Sequence, residues 1–174
     1  MTIRCRVLRD NIDLSNGKKV SNMNYEIVDL KEKQVVGLIA RTNNNAPDIG
    51  AVIGGLWNRF YQEGIYASIE KKANEKALGI YTDYANDEKE DYSVLVACEV
   101  EQVETLPEGT LSRTIPAGKY AKFVVTGHMQ KAVADFWQEL WTMDLPRLFS
   151  CDFEEYQNED MENAQVHIYI SLKE

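Results

Sequence analysis

Glu154 is the residue whose type and position most clearly suggest a chemical role. It lies in the short segment CDFEEY, between Phe153 and Tyr156. Alternation along a β-strand places Glu154 and Tyr156 on one face and Phe153 on the other. If Phe153 packs under a helix, Glu154 points into a cleft, with Tyr169 nearby on the next strand. A carboxylate among rings is partly desolvated, and a bound organic cation would compensate its charge. Each ring face would add ~0.5–2 kcal/mol of cation–π attraction.

The alternative for Glu154 is a carboxylate on an edge strand that faces water. Four further aromatic residues are candidates for lining the cleft. Tyr84 has the same place in its segment as Tyr156, and Tyr81 precedes it by three positions. Trp57 and Phe60 lie on a helical stripe that borders the proposed cleft, where packing in the core is the usual role of such residues.

The sequence contains few residues or motifs that would support a metal site, a cofactor site or catalysis. The two histidines, His128 and His167, are not in an HxxxH or HExxH arrangement, and the three cysteines have no CxxC spacing, so we expect no metal site and no cofactor. The sequence contains no GxSxG, phosphate-binding GxxxxGK[ST] or dinucleotide-binding GxGxxG motif in the required context. Glu154 with Tyr84 or Tyr156 could serve as an acid/base pair, but a binding module is favoured over an enzyme, with no catalytic residue assigned.

The elements that carry these residues are arranged in two similar blocks, in halves of about 25–100 and 101–174, preceded by an extension at 1–24. Each half reads strand, helix, strand, strand. The predicted elements are 35–42, 49–64, 77–84 and 92–100 in the first half and 119–126, 129–143, 151–156 and 164–172 in the second.

Aligning the two halves predicts an internal duplication. The helix stripes superimpose Ile53 on Trp137 and Trp57 on Trp141, and the hairpins superimpose Thr82 on Glu154. Residues 101–118 are interpreted as an acidic link and a turn. Because one helix covers only one face of a small sheet, two such units should pack together and leave a ligand cleft between them.

The net charge and the hydropathy of the chain limit the kinds of partner that it is expected to bind. The chain has 19 basic and 28 acidic residues and a net charge of −9, a field that repels phosphate backbones and attracts cations. Acidity for solubility alone would explain the same count. No apolar stretch is long enough to span a membrane, and the charged N-terminal residues do not form a signal sequence, so we expect a cytoplasmic protein that binds neither membrane nor nucleic acid.

Five segments resemble, in order, the GyrI-like family, also called the AraC-type effector-binding domain. They are YEIVDLKEKQVVGLIART, LWNRFYQEG, GIYTDYAND, EGTLSRTIPAGKYAKFVVTG and DFEEY with VHIYISL. The similarity extends from about Tyr25 to Lys173, and it is greatest to members carried on integron gene cassettes.

The resemblance implies an α+β fold of duplicated strand-helix-strand-strand (SHS2-type) units packed pseudo-symmetrically around a central cleft. It also implies that Glu154 meets cationic ligands and that Tyr169 lines the pocket. Related regulators attach this module to a helix-turn-helix domain, for which the residues before the match are too few, so we expect a stand-alone module.

The resulting functional hypothesis is an effector-binding, transcription-regulator-like protein that binds small amphipathic cations, as multidrug-binding proteins do. Two alternatives follow from the same resemblance. One is hydrolysis of small hydrophobic toxins, and the other is a gyrase-inhibitor-like interaction with a protein partner.

Overall fold

The computed structural model describes residues 23–174, so most of the predicted extension at 1–24, including Cys5, lies outside the described residues. Eight strands and three helices follow one another along this part of the chain. In order they are β1 (Glu26–Leu30), β2 (Lys33–Thr42), α1 (Ile49–Gln62), α2 (Ile65–Ser68), β3 (Lys72–Thr82), β4 (Tyr92–Val100), β5 (Leu111–Ile115), β6 (Gly118–Gly127), α3 (Met129–Leu140), β7 (Cys151–Tyr156) and β8 (Ala164–Ser171).

All eight strands form one antiparallel sheet in the order β1-β6-β8-β7-β3-β4-β2-β5. Apart from the short α2, the element order β2-α1-β3-β4 recurs as β6-α3-β7-β8, which confirms the predicted α+β class and the strand-helix-strand-strand units. The two units meet where β3 pairs with β7, so the central strand pair joins the two halves.

One face of the sheet is covered by the two long helices. Leu56 and Phe60 of α1 pack on residues of β2 and β4 such as Val96, whereas Phe136 and Leu140 of α3 pack on β6 and β8. These helical residues recur at intervals of three and four, as an amphipathic helix requires. Each helix therefore covers the strands of its own half, as the sequence predicted.

Within residues 23–174 the opposite face carries no helix and is covered by the sheet itself. Leu30 of β1 and Ile115 of β5 belong to one cluster with Leu78 and Phe153 of the central strands, although β1 and β5 are the two edges of the sheet. Edge residues can contact central ones only if the sheet curls, which is the direction that strand twist favours. The curl buries both faces of β3 and β7.

The edge strands are exchanged between the halves. β1 precedes the first unit in sequence but pairs with β6 of the second, and β5 precedes the second unit but pairs with β2 of the first. The interpretation of 101–118 as only a link and a turn is therefore wrong at 111–115, and β1 is a further strand that was not predicted. Both strands are only five residues long, too short for a clear alternation pattern.

Among residues 23–174, no helix is long and apolar enough to cross a membrane. The two cysteines in that range, Cys98 and Cys151, are buried free thiols. Within the same range no cluster of histidine, cysteine and acidic side chains has a metal-binding arrangement.

Candidate functional site

Glu154 lies in the middle of the sheet, on the face that carries the helices. It belongs to β7 and is paired directly with Gly79 of β3, at the junction of the two units. Its side chain is 2% exposed. An edge-strand carboxylate that faces water, the alternative left open by the sequence, is therefore wrong.

Three neutral groups donate hydrogen bonds to the Glu154 carboxylate. The Tyr156 hydroxyl donates to Oε1 at 2.9 Å, and the Tyr81 hydroxyl donates to Oε2 at 3.2 Å. The indole Nε1 of Trp137 also donates to Oε2, at 2.8 Å. One carboxylate oxygen therefore has two donors from the described residues and the other has one.

Gly79 provides the space for this carboxylate. A Cβ atom at position 79 would lie 2.7 Å from Oε1 of Glu154 and 3.5 Å from Cζ2 of Trp57. Real Cβ atoms do not approach an oxygen so closely, so any larger residue would displace the carboxylate. Gly79 stands directly opposite Glu154 in the strand pairing. Because the Trp137–Tyr81 ring contact repeats the Trp57–Tyr156 contact, Gly79 and not Thr82 also corresponds to Glu154 in the repeat.

Two matching pairs of rings flank the carboxylate. Trp57 of α1 meets Tyr156 edge to face, with ring centroids 5.2 Å apart and planes at 80°. Trp137 of α3 meets Tyr81 in the same way, at 5.1 Å and 70°. Trp57 therefore has Trp137 as its counterpart, one helical turn before the Trp141 that the sequence alignment chose.

The electrostatic environment of Glu154 is that of a buried charge without a counterion. Desolvation raises the pKa of this carboxyl, and the hydrogen bonds from Trp137, Tyr156 and Tyr81 act in the opposite direction. No lysine, arginine or histidine of residues 23–174 forms an ion pair with it. The Glu154 carboxylate in turn raises the pKa of Tyr81 and Tyr156, second only to burial.

Two surface openings flank the site, and Glu154 lines neither of them. The Tyr61 opening, about 590 Å³, is bordered by Tyr61, Tyr66, Glu75, Lys76, Tyr156 and Glu159, among others. The Trp141 opening, about 310 Å³, lies between the two long helices and is bordered by Tyr81, Tyr84, Glu88, Trp137, Trp141 and Arg147, among others. The aromatic rings thus close the carboxylate off from both openings.

Tyr84 belongs to a second buried cluster and not to the Glu154 site. Its hydroxyl donates to Oδ2 of Asp152 at 2.8 Å, and Arg147 donates to the same oxygen at 2.8 Å. The other oxygen of Asp152 accepts from the backbone amide and the hydroxyl of Ser171. The bonds to Ser171 fix the end of β7 against β8. Since Arg147 balances the charge of Asp152, this is a structural carboxylate.

The faces of β7 and β8 are only partly as the sequence analysis assumed. Ile168 packs with Phe136 of α3 as expected, but Phe153 lies on the face away from the helices, so the assumption that it packs under a helix is wrong. Tyr169 stacks on Phe153 with centroids 4.6 Å apart, on that same opposite face. Tyr169 is therefore separated from Glu154 by the sheet.

The remaining predicted site residues divide into two groups. Tyr81, Tyr156 and Trp57 are gathered around Glu154, whereas Phe60 is completely buried between α1 and the sheet. Trp137 was identified in the sequence only as part of the second helix stripe, and its role as a hydrogen-bond donor to Glu154 was not predicted. The helix stripe that carries Trp137 was visible in the sequence, but the indole could be matched to Glu154 only once that residue was known to face the helices.

Comparison with known proteins agrees with this architecture. Residues 26–172 match the family described as integron-associated effector binding proteins. YobU of Bacillus subtilis (strain 168), a transcriptional-regulator-type protein, is 30% identical over 154 residues, which cover 84% of this chain and 96% of YobU.

Solved structures show the same fold. The integron cassette protein VCH_CASS2 from the mobile metagenome of Vibrio cholerae superimposes with a TM-score of 0.70 at 28% identity, covering 86% of this chain and 95% of its own. SAV2435, whose structure was solved bound to tetraphenylphosphonium, superimposes with a TM-score of 0.72 at 23% identity, covering 87% and 94%. The match over nearly all of the described residues, together with the regulator-type relative, shows that this chain belongs to the family of integron-associated effector binding proteins.

Proposed function

We propose that this protein binds a small amphipathic organic cation, with Glu154 as its counterion and the surrounding rings as its walls. The observation that carries the proposal is the buried Glu154 carboxylate, which accepts three neutral hydrogen bonds and has no ion-pair partner within residues 23–174. A cation placed beside it would recover electrostatic energy that burial otherwise costs.

The rings define the kind of cation. The carboxylate is surrounded by the aromatic faces and edges of four residues, Trp57, Trp137, Tyr81 and Tyr156. The Tyr81 and Tyr156 hydroxyls and the Trp137 indole already donate hydrogen bonds to it, whereas the Trp57 indole does not. Such walls favour a delocalised or quaternary cation with apolar substituents over a strongly hydrated primary ammonium. SAV2435, which shares the fold, binds a cation of this kind.

Binding requires the rings to move, because neither opening reaches the carboxylate. Side-chain rotation is sufficient in principle, since rotamer changes are common at binding sites while backbones move little. The bound cation would thereby alter the packing between α1 and α3, which is how an effector-binding module could report its ligand to a regulatory partner.

The test is a titration with tetraphenylphosphonium followed by tryptophan fluorescence or calorimetry. We expect Glu154→Gln to weaken binding by about 1–3 kcal/mol, because the amide keeps the shape of the side chain and removes its charge. Triphenylphosphine oxide, an uncharged analogue, should bind wild type and Glu154→Gln equally.

Glu155→Gln is the matched control. Glu155 is the adjacent residue of the same strand, is also buried, and lies near Lys76 and Gln157 on the other face. It should bind the cation as wild type does. Equal affinity of wild type and Glu154→Gln for tetraphenylphosphonium would refute the proposal, as would the absence of any binding to wild type.

A further inference from the structure

The two openings beside the site differ in ways that bear on how a ligand reaches it. We infer that the organic cation reaches Glu154 through the Tyr61 opening, past Trp57, and not through the Trp141 opening between the helices. This inference rests on the proposed function, since it concerns the route to the same carboxylate. Three observations support it: the charge of each opening, the way each tryptophan is held, and the hydrogen bonds at each carboxylate oxygen.

Charge distinguishes the openings first. Glu75 and Glu159 border the Tyr61 opening, and neither forms an ion pair among the described residues, while Lys76 there lies 3.7 Å from Glu155. Burial and, after it, the negative charge of Glu159 raise the pKa of Tyr61 to about 12, so the charge of Glu159 acts on the rings at this opening. Acidic side chains at an opening raise the local concentration of cations.

The Trp141 opening is nearly neutral by comparison. Its charged groups are Glu88 and Arg147, which lie 3.8 Å apart, and Arg147 is also paired with the buried Asp152. The guanidinium lies in the wall of this opening between Glu88 and Asp152, so the one acidic side chain among residues 23–174 that borders the opening is already paired with a cation. The wall is otherwise aromatic and aliphatic, so nothing in it attracts positive charge preferentially.

The two tryptophans differ in how they are held. Trp137, on the side of the Trp141 opening, is fixed by its 2.8 Å hydrogen bond to Glu154. Trp57 makes no hydrogen bond through its indole in the described structure and is held by ring contacts, edge to face with Tyr156 and stacked on Tyr61 at 6.3 Å. Moving Trp57 leaves no buried donor or acceptor unpaired, whereas moving Trp137 does.

The carboxylate itself is more available on the side of Trp57. From residues 23–174, Oε1 accepts a hydrogen bond only from the Tyr156 hydroxyl, whereas Oε2 accepts from both Tyr81 and Trp137. Oε1 and the Trp57 ring both border the space above Gly79, because a Cβ atom there would lie 2.7 Å from Oε1 and 3.5 Å from Cζ2 of Trp57. Trp57 does not border the Tyr61 opening itself but packs on Tyr61 and Tyr156, which do. Displacing Trp57 would therefore open space beside Oε1, the oxygen with the greater remaining capacity to interact with a cation.

The test is stopped-flow association of tetraphenylphosphonium with variants of each opening. We expect the double variant Glu75→Gln and Glu159→Gln to reduce the association rate constant about threefold or more at low salt, with little effect at high salt, because it removes long-range attraction. The dissociation rate should change little. Glu88→Gln, the matched change at the other opening, should leave the association rate as in wild type.

A second variant tests the barrier. Trp57→Ala should accelerate association, since it removes the ring that must move, whereas slower or unchanged association would contradict the route. A rate lowered by Glu88→Gln and unaffected by the double variant would place access at the Trp141 opening instead. In that case the dependence of affinity on Glu154 would persist, so the route can fail while the proposed function stands.

Discussion

At the scale of single residues, the burial of Glu154 has a consequence for stability that does not depend on any ligand. Desolvation raises the pKa of Glu154 in the folded protein above its value in the unfolded chain. With a raised pKa, the folded protein is more stable at low pH, where Glu154 is protonated in both states, than at high pH, where a buried carboxyl must carry a charge. That contribution is lost as the pH rises from the unfolded pKa through the folded one.

The prediction is that Glu154→Gln becomes more stable relative to wild type as the pH rises. Below the pKa of the unfolded chain both proteins carry a neutral group at position 154, and above the folded pKa only wild type carries a buried charge. Urea unfolding of the two proteins at several pH values from about 4 to about 8 measures the difference. A difference that stays constant over this range would show that Glu154 does not titrate abnormally, since altered hydrogen bonding alone would shift stability equally at every pH.

At the scale of the elements, β2 and β4 approach each other unusually closely at Gly37. A Cβ atom there would clash with the Val96 carbonyl oxygen and lie 2.6 Å from the Cα atom of Ala97, both in the backbone of β4. Gly37→Ala should therefore destabilise the protein by about 1–3 kcal/mol, because a strand backbone cannot shift as a side chain can.

The matched control is Gly54→Ala, on the exposed side of α1, where a Cβ atom would meet nothing within 4 Å. That substitution should be neutral or stabilise by up to about 1 kcal/mol, because alanine is the better helix former. Urea unfolding of both variants provides the comparison. Equal stabilities for the two variants would mean that the sheet accommodates the extra carbon at position 37.

Most of these elements could be predicted from the sequence, but their equivalence between the halves could not. A stripe with spacings of three and four repeats after each turn, so the α1 and α3 patterns align nearly as well with Trp57 on Trp141 as on Trp137. The hairpin turns also differ in length, since nine residues (83–91) separate β3 from β4 and seven (157–163) separate β7 from β8. Aligning the second strands correctly therefore shifts the first strands by two residues, which accounts for two of the three positions that separate Thr82 from Gly79.

The candidate site was predictable to the extent that it depends on local pattern. Glu154, Tyr156 and Tyr81 share one face of adjacent strands, which alternation and pairing can suggest. Which face carries the helices depends on whether Phe153 or Glu154 points toward α3, and local alternation is the same in both cases. Tyr169 was consequently placed in the pocket, although it stacks on Phe153 on the opposite face of the sheet.

At the scale of the whole molecule, the exchanged edge strands make the two halves interdependent. A cut in the segment between β4 and β5 would leave each fragment with an edge strand that pairs only with the other fragment. We expect fragments 23–105 and 106–174 to be unfolded separately and to recover the native circular dichroism spectrum when mixed, because each alone exposes half of the curled-sheet core. A fragment that unfolds cooperatively by itself would show that the halves are autonomous units.

The same exchange limits what a ligand can do to the backbone. Because each unit is paired with an edge strand from the other, the two units cannot separate by a hinge motion. Space for a ligand must therefore come from rotation of aromatic side chains while the backbone stays in place. Under the proposed function, recognition would then depend on the rotamers of a few large side chains, and cations of different shape could bind without a change in the backbone.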